Sequence, residues 1–553
     1  MNNEAINEVE INGGPAVPLV IPPLPPREAD PTPRWLLEVD LGGSPVRLST
    51  SEVTVPSRTD GAGGRLYARG LPSLEVPLGA DSLTVQVPLL DAYARARQVR
   101  QLVGRQAVLR YYRGEPVLED AVIVLRGVVS GVRYGDPSAP DAVQLELRRS
   151  DLVGSTTMLP PGWVVDGDTW LQDVYRSAPQ VLGTAYPLVI GCPGRPSQDG
   201  GTDYYPAVPA ACVDTTPGAR ILLVAGHPVE ATRVKVWDLS GGIVTDVGPV
   251  SPVVSLTDDA SSQPCSTVAL VGASIDPPDN SALYTSWLPR DGDYGAGVLF
   301  EGEPIRGLGT LLLWGSLEYA RDPVDRGALR SWRDELDQYE IDAFVNDPAV
   351  SWDDWVRANV LDLFGLERMD GPDGLWYRPA VYRPQRARVR ATLVTDRTAA
   401  GHLVRVGGYG QTADDLATTI TVQYAPRAAS RSYDRRWTLA PERDPDDDRV
   451  VGSALCRRAL EVLGGRTAAV SRECPVTAHP GTALRLAQRL AERYALPADE
   501  VTIEGGPRLA GLQPYDTVEI VDHMAPGPVL GVVQPGLVLG ERAVSLRVRV
   551  PTT

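Results

Sequence analysis

Lysine is nearly missing from this chain. Lys235 is the only one, so arginine supplies the rest of the 53 basic residues. A phosphate-cradling G-x-x-x-x-G-K-[ST] loop is thereby excluded, because Lys235 lies in Ala231-Thr232-Arg233-Val234-Lys235. The arginine bias has two readings, arginine-rich working surfaces or the codon usage of a GC-rich genome. Positive charge is also short overall: the net charge is −17 and the pI about 4.9. A dedicated nucleic-acid binder carries a basic surface, so that class is disfavoured, as is attachment to anionic membrane surfaces.

Histidine is scarce: His227, His402, His479 and His523. None stands four residues from another, which excludes an HExxH-type zinc site. His523 follows Asp522, but neighbours on a strand point to opposite faces, which weakens them as a catalytic pair. The five cysteines, Cys192, Cys212, Cys265, Cys456 and Cys474, are odd in number and form no C-x-x-C, so they read as reduced thiols rather than a disulfide framework. No local signature makes Cys212 or Cys265 a thiol-protease nucleophile. A G-x-S-x-G elbow is absent, and Gly307-Leu308-Gly309 lacks the third glycine of a dinucleotide fingerprint. No apolar run approaches ~20 residues, so no membrane span is expected. The first residues, Met1-Asn2-Asn3-Glu4, do not open a secretion signal. No catalytic, cofactor-binding or metal-binding residue is therefore assigned.

Turn formers are abundant. Fifty-four glycines and 50 prolines make up about a fifth of the 553 residues, above the usual share and below that of low-complexity chains. That favours folded domains rich in β-structure, and the length predicts about three to five of them.

Along the chain, residues 1–33 form an arm with eight prolines between Pro15 and Pro33, expected to be extended. Residues 34–153 hold about seven period-two strands, among them Trp35–Leu41, Leu83–Val87 and Val122–Val132. They also hold a helix from Asp91 to Val103 and a turn at Gly135–Pro137. Residues 154–300 read as a loop-rich peripheral β domain, with short strands such as Tyr186–Ile190, Ile221–Ala225, Val234–Leu239 and Thr267–Val271. Residues 301–395 carry the clearest helix. Ser351-Trp352-Asp353-Asp354 has capping-box spacing, Trp352, Trp355, Val356, Val360 and Phe364 follow at helical spacing, and Gly365 stops it. Residues 396–553 form a C-terminal β domain with two helices, Ser453–Leu463 and Thr482–Tyr494. The acidic stretches Asp291–Asp293 and Asp444–Asp448 lack the twelve-residue calcium loop and read as solvated turns. Eleven tryptophans against three phenylalanines suit either sugar recognition or core packing, and Trp352, Trp355 and Trp376 are expected in a core.

Three stretches carry a family resemblance. The first runs from Val122 to Leu147. The second spans Leu308 to Tyr377, with Gly309-Thr310-Leu311-Leu312, Tyr339-Glu340-Ile341-Asp342-Ala343-Phe344 and Gly374-Leu375-Trp376-Tyr377. The third spans Thr482 to Asp522 and includes Leu512-Gln513-Pro514-Tyr515-Asp516-Thr517-Val518-Glu519-Ile520. In this order they resemble the tail hub (baseplate hub or tail-tip hub) proteins of long-tailed phages and phage-like particles. The last stretch is similar to that family's L-x-P-G-D-x-V-x-I ending, with Tyr515 where glycine is usual, which implies an altered turn before Asp516.

The resemblance implies a mainly β, multidomain chain with some α: two tube-like β-barrel domains plus peripheral α+β domains. It implies a homotrimer whose six barrels form a ring joining the six-fold tail tube to the three-fold tip and lining the DNA exit channel. Its neighbours would be tail tube and distal tail proteins and tail-tip or fibre proteins. DNA would pass without specific binding, provided acidic residues face the lumen. The chain would be made in the host cytoplasm and built into the virion tail, with no cofactor and no enzymatic role. The rival expectation from composition alone is a glycan-binding or glycan-cleaving protein of a particle or cell surface.

Overall fold

The computed structural model describes residues 32–553 apart from 41–44, 60–63, 89–101, 135–141, 151–182, 184, 321, 346, 348–349, 397–400, 412–415, 428–431, 523–526 and 553; between 192 and 298 it describes the strands and residues 226–227. The proline-rich arm up to residue 31, nearly all of the expected helix 91–103, the turn 135–137, Asp291–Asp293, Cys192, Cys265, His523 and the side chain of Cys212 lie outside that description.

The chain is mainly β and multidomain. Its N-terminal sheet has eight strands in the order Val53–Val55, Arg65–Arg69, Val46–Ser49, Arg34–Val39, Gln106–Tyr112, Val122–Tyr134, Ala142–Arg149 and Ser82–Pro88. Period-two alternation builds it. Trp35, Leu37 and Val39 point into one core, whereas Leu36 points the other way into a small cluster with Val55, Tyr67, Tyr112 and Leu118. Register shifts at Leu109/Arg110 and Val129/Gly131 mark bulges that bend the long Val122–Tyr134 strand. Among the described residues, the two end strands are not paired with each other.

The C-terminal barrel is closed. Ala498–Gly505, His402–Gln411, Val389–Val394, Thr517–Val521, Val529–Val533 and Val544–Pro551 pair in that order, and the last returns to the first through eight aligned residues. Closure removes the open edges that sheets otherwise carry. The six strands come from two stretches, 389–411 and 498–551. Between them lies an α+β layer: a mixed four-stranded sheet (Val450–Gly452, Ser432–Ala440, Thr419–Arg427, Ala469–Glu473) with the helices Ala454–Val462 and Pro480–Tyr494. Ala483, Leu486, Ala487, Leu490 and Ala491 bury one face of the second helix.

That layer shares a single core with the helices Leu308–Tyr319, Arg326–Leu336 and the tryptophan helix. Ser351 caps the tryptophan helix as expected: its hydroxyl accepts the Asp354 amide at 3.2 Å and donates to the Asp354 carboxylate at 2.6 Å. The helix is not regular throughout. Trp352–Val356 is α, Arg357–Leu361 widens into a π-turn, and Asp362–Phe364 ends at Gly365 with φ 59°. Trp352 and Trp355 are buried, their rings stacked at 5.9 Å, and Trp352 also meets Trp314 edge-on. Gly315 permits this contact: a Cβ there would lie 2.2 Å from the Trp352 ring. The peripheral region forms two further four-stranded sheets, each assembled from strands between 208 and 288.

Candidate functional site

No catalytic cleft was assigned from sequence, and the most built part of the molecule is the seam that joins its two large sheets. The strand Glu75–Pro77 leaves the N-terminal sheet and adds to the C-terminal one, pairing with Val538–Gly540. Val76, the inward residue of its three, is fully buried. The Leu78 amide donates to the Leu537 carbonyl at 2.6 Å, the Tyr111 hydroxyl to the Gly540 carbonyl at 2.8 Å, and the Trp35 indole N–H to the Leu74 carbonyl at 3.1 Å. One apolar core runs without interruption from Trp35 and Leu109 to Ile503, Val533 and Leu546. The two sheets are thus one hydrogen-bonded and packed unit, and buried backbone groups at the seam find partners across it.

A hairpin, Leu366–Gly371 and Gly374–Pro379, clamps the helical layer onto both sheets. On the barrel side, Arg378 donates to Asp516 Oδ1 at 2.9 Å and to Gln513 Oε1 at 3.0 Å, while Asp516 Oδ2 accepts the Gln513 amide at 2.8 Å. Asp516 and Arg378 are 4% and 6% exposed, so each neutralises the other out of water. The family-like aspartate therefore fixes the turn and receives the clamp. Tyr515 takes φ 68° in that turn, the left-handed conformation a glycine adopts freely. Tyr515 thus holds, with a full side chain, a backbone conformation that glycine adopts more freely. Its amide still bonds to Val533 O at 2.7 Å, which holds the residue there. Burial pushes the Tyr515 phenol well above its usual range, with Glu367 adding to the shift.

On the N-terminal side, Arg126 donates to the Gly371 carbonyl at 3.2 Å. Arg368 pairs with Asp322 at 2.5 Å, with Asp370 at 3.7 Å and with Asp353 at 3.9 Å, and the Ser150 hydroxyl donates to Asp322 at 2.6 Å. Burial raises the Asp370 carboxyl above its ordinary value despite the attraction of Arg368 and Arg149.

The residues weighed for chemistry serve as fasteners. His227 Nε2 accepts the Val189 amide at 3.1 Å. His479 caps the helix Pro480–Tyr494, its Nδ1 accepting the Thr482 amide at 3.2 Å, with Glu340 3.4 Å from Nε2. Asp522, weighed as a partner of His523, accepts from Thr395 and Tyr409 at 3.1 and 2.9 Å. Cys456 and Cys474 are buried free thiols, and burial pushes Cys474 up to about 12. Among the described residues, no group of three His, Cys, Asp or Glu could hold a metal ion, and no helix is long and apolar enough to cross a membrane.

Two charged surface features were not singled out as sites from sequence. On the outer face of the N-terminal sheet, Glu38 receives Arg110 at 2.8 Å, Arg47 at 3.1 Å, Arg65 at 3.1 Å and the Tyr67 hydroxyl at 2.9 Å. Burial works against the Glu38 charge, but Arg110, Tyr67 and Arg65 outweigh it and hold the carboxyl below its ordinary range. The signal for this cluster was cross-strand pairing, which sets Glu38 opposite Arg47. The second feature is the exposed loop Asp444–Asp448, where the Asp446 amide bonds to Asp444 and the Arg449 amide to Asp447.

Comparison with protein-family models finds no match, and neither does comparison with curated proteins. Several solved structures are similar to the chain. A chain of the virion of a native gene transfer agent particle is 13% identical with a TM-score of 0.39, covering 67% of this chain and 85% of that one. A tail protein from Neisseria meningitidis MC58 is 12% identical with a TM-score of 0.32, covering 94% and 96%. The 43 kDa tail protein of prophage MuSo2 from Shewanella oneidensis is 9% identical with a TM-score of 0.31, covering 94% and 98%.

Proposed function

We propose that this chain is a structural tail hub of a long-tailed phage or phage-like particle. Three copies would form a ring that joins the six-fold tail tube to the three-fold tip and lines the DNA exit channel. The observation that carries this reading is the seam. Each chain offers two large β units, one closed barrel and one eight-stranded sheet, fused by a shared strand and one core. Three such chains supply six units around an axis, and a fused pair keeps neighbouring units in fixed register. The order of the three family-like stretches supports the same reading. The partners are then further copies of the chain, tail tube and distal tail proteins, and tail-tip or fibre proteins, within the virion tail. The role is structural rather than enzymatic.

The tryptophan helix lends nothing to the rival glycan reading. Trp352 and Trp355 lie in the core and offer no ring face to a sugar.

Mass photometry and electron microscopy of the full chain test the proposal. Trimers with a three-fold ring about as wide as a tail tube are expected, with no retention of duplex DNA at physiological salt. A monomer at micromolar concentration that binds or cleaves glycans would overturn it.

A further inference from the structure

We propose that Asp370 and Arg126 form a proton-operated switch between the clamp hairpin and the N-terminal sheet. With the Asp370 carboxyl protonated, Arg126 holds the Gly371 carbonyl. Once that proton leaves to water, Arg126 turns to the Asp370 carboxylate and lets Gly371 go. The inference stands apart from the hub reading and survives or fails without it.

The structure shows the first of these two states. Arg126, on the strand Val122–Tyr134, donates from Nη2 to the Gly371 carbonyl at 3.2 Å. Its Nε is buried and has no hydrogen-bond partner. One residue before Gly371, Asp370 Oδ1 is buried as well and also has no hydrogen-bond partner. Arg368 stands 3.7 Å from that oxygen but pairs with Asp322 at 2.5 Å. A buried carboxylate with a bare oxygen is costly, whereas a neutral carboxyl bears the same site at lower cost. Burial acts in the same sense. It outweighs the attraction of Arg368, Arg149 and Arg126 and holds the Asp370 carboxyl above its ordinary range.

The charges around the pair come from every element packed there. The N-terminal sheet brings Arg126, Arg149 and Arg110, and Arg110 repels Arg126. Asp322 and Asp353 flank Arg368, and Asp322 adds to the upward shift of Asp370. Glu367 of the hairpin feels Arg149 and Asp81. Among these neighbours, Asp370 exerts the largest charge effect on Arg126.

Guanidinium geometry makes the two states exclusive. Nη2 and Nε share one edge of the group, the edge that a carboxylate takes with both oxygens. Bonds of that kind are about twice as strong as one to a neutral carbonyl. An ionised Asp370 therefore claims both nitrogens and displaces Gly371. The hairpin then keeps its barrel-side bond from Arg378 to Asp516 and loosens on the side of the N-terminal sheet.

The test is amide hydrogen exchange of the full chain at pH 4–8, corrected for intrinsic exchange and read over Leu366–Gly371. Wild-type exchange there is expected to rise about tenfold as Asp370 ionises, the loss of one charge-assisted hydrogen bond. Infrared spectroscopy should show a protonated carboxyl band vanish over the same interval. Asp370→Asn stays neutral and is expected to keep the slow exchange throughout. Arg126→Met is expected to exchange fast at every pH. A flat wild-type profile would overturn the switch, and so would an Asp370→Asn chain that keeps the step. A step that survives in Arg126→Met overturns it too, because the hairpin would then loosen without the arginine.

Discussion

Removing the carboxylate of Asp516 tests the clamp directly. In Asp516→Ala, Arg378 stays buried with its charge uncompensated, and the Gln513 amide loses its acceptor. Breaking a buried ion pair from one side costs about 3–5 kcal/mol, and the orphaned amide is part of that sum rather than an addition to it. A loss of about 4 kcal/mol lowers the melting temperature of a unit of 150–250 residues by about 8–16 °C. Asp516→Asn keeps an acceptor for the Gln513 amide and gives up only the charge, so about half the loss is expected. The decisive variant is Asp516→Ala/Arg378→Met. It removes the stranded charge and fills its space with an apolar side chain, and stability is expected to return to within about 2 kcal/mol of wild type. Differential scanning calorimetry of the full chain, with tryptophan fluorescence to follow the helical layer, separates these outcomes. A loss below about 1 kcal/mol in the single alanine variant refutes the reasoning. So does a double variant no more stable than the single one.

Gly315→Ala places a methyl 2.2 Å from the Trp352 ring, so overpacking is expected to cost about 1–3 kcal/mol and to alter the near-ultraviolet dichroism of the stacked tryptophans. Asp370 gives a pH dependence of defined sign. Its folded pKa is raised, so the folded state binds the proton more tightly; the associated stability is present below the ordinary carboxylate value and is lost as pH rises through the raised one. Asp370→Asn is expected to be at least as stable as wild type at pH 7 and to lose that component of the pH profile in urea titrations at pH 4–8.

Local structure was legible wherever one face of an element is buried. Strands such as Ser82–Pro88 and Gln106–Tyr112 announced themselves by alternation, and the helix Pro480–Tyr494 by its alanine and leucine stripe. The helix Leu308–Tyr319 was quoted only as a family motif, because Leu308 to Ser316 is buried on every side and leaves no polar face to set a period. Val53–Val55 and Arg65–Arg69 are short and mostly polar outside, and Ser432–Ala440 is half-exposed along its length, so alternation is weak in each. The π-turn after Val356 was invisible because Val360 and Phe364 still fall on the buried side. Nothing local could reveal the clamp, since Arg378 and Asp516 stand 138 positions apart. The same holds for Glu75–Pro77, which alternates like its neighbours yet belongs to the other sheet.

That borrowed strand imposes an order on biosynthesis. The Tyr111 hydroxyl waits for a carbonyl 429 positions downstream. At ~5–20 residues per second, about 20–90 s pass before that carbonyl is made. Throughout that interval the nascent N-terminal sheet carries Val76 with no strand to pair it. A chain broken off early never covers it and stays marked for chaperones and proteases. The seam therefore closes only in a chain translated through Gly540.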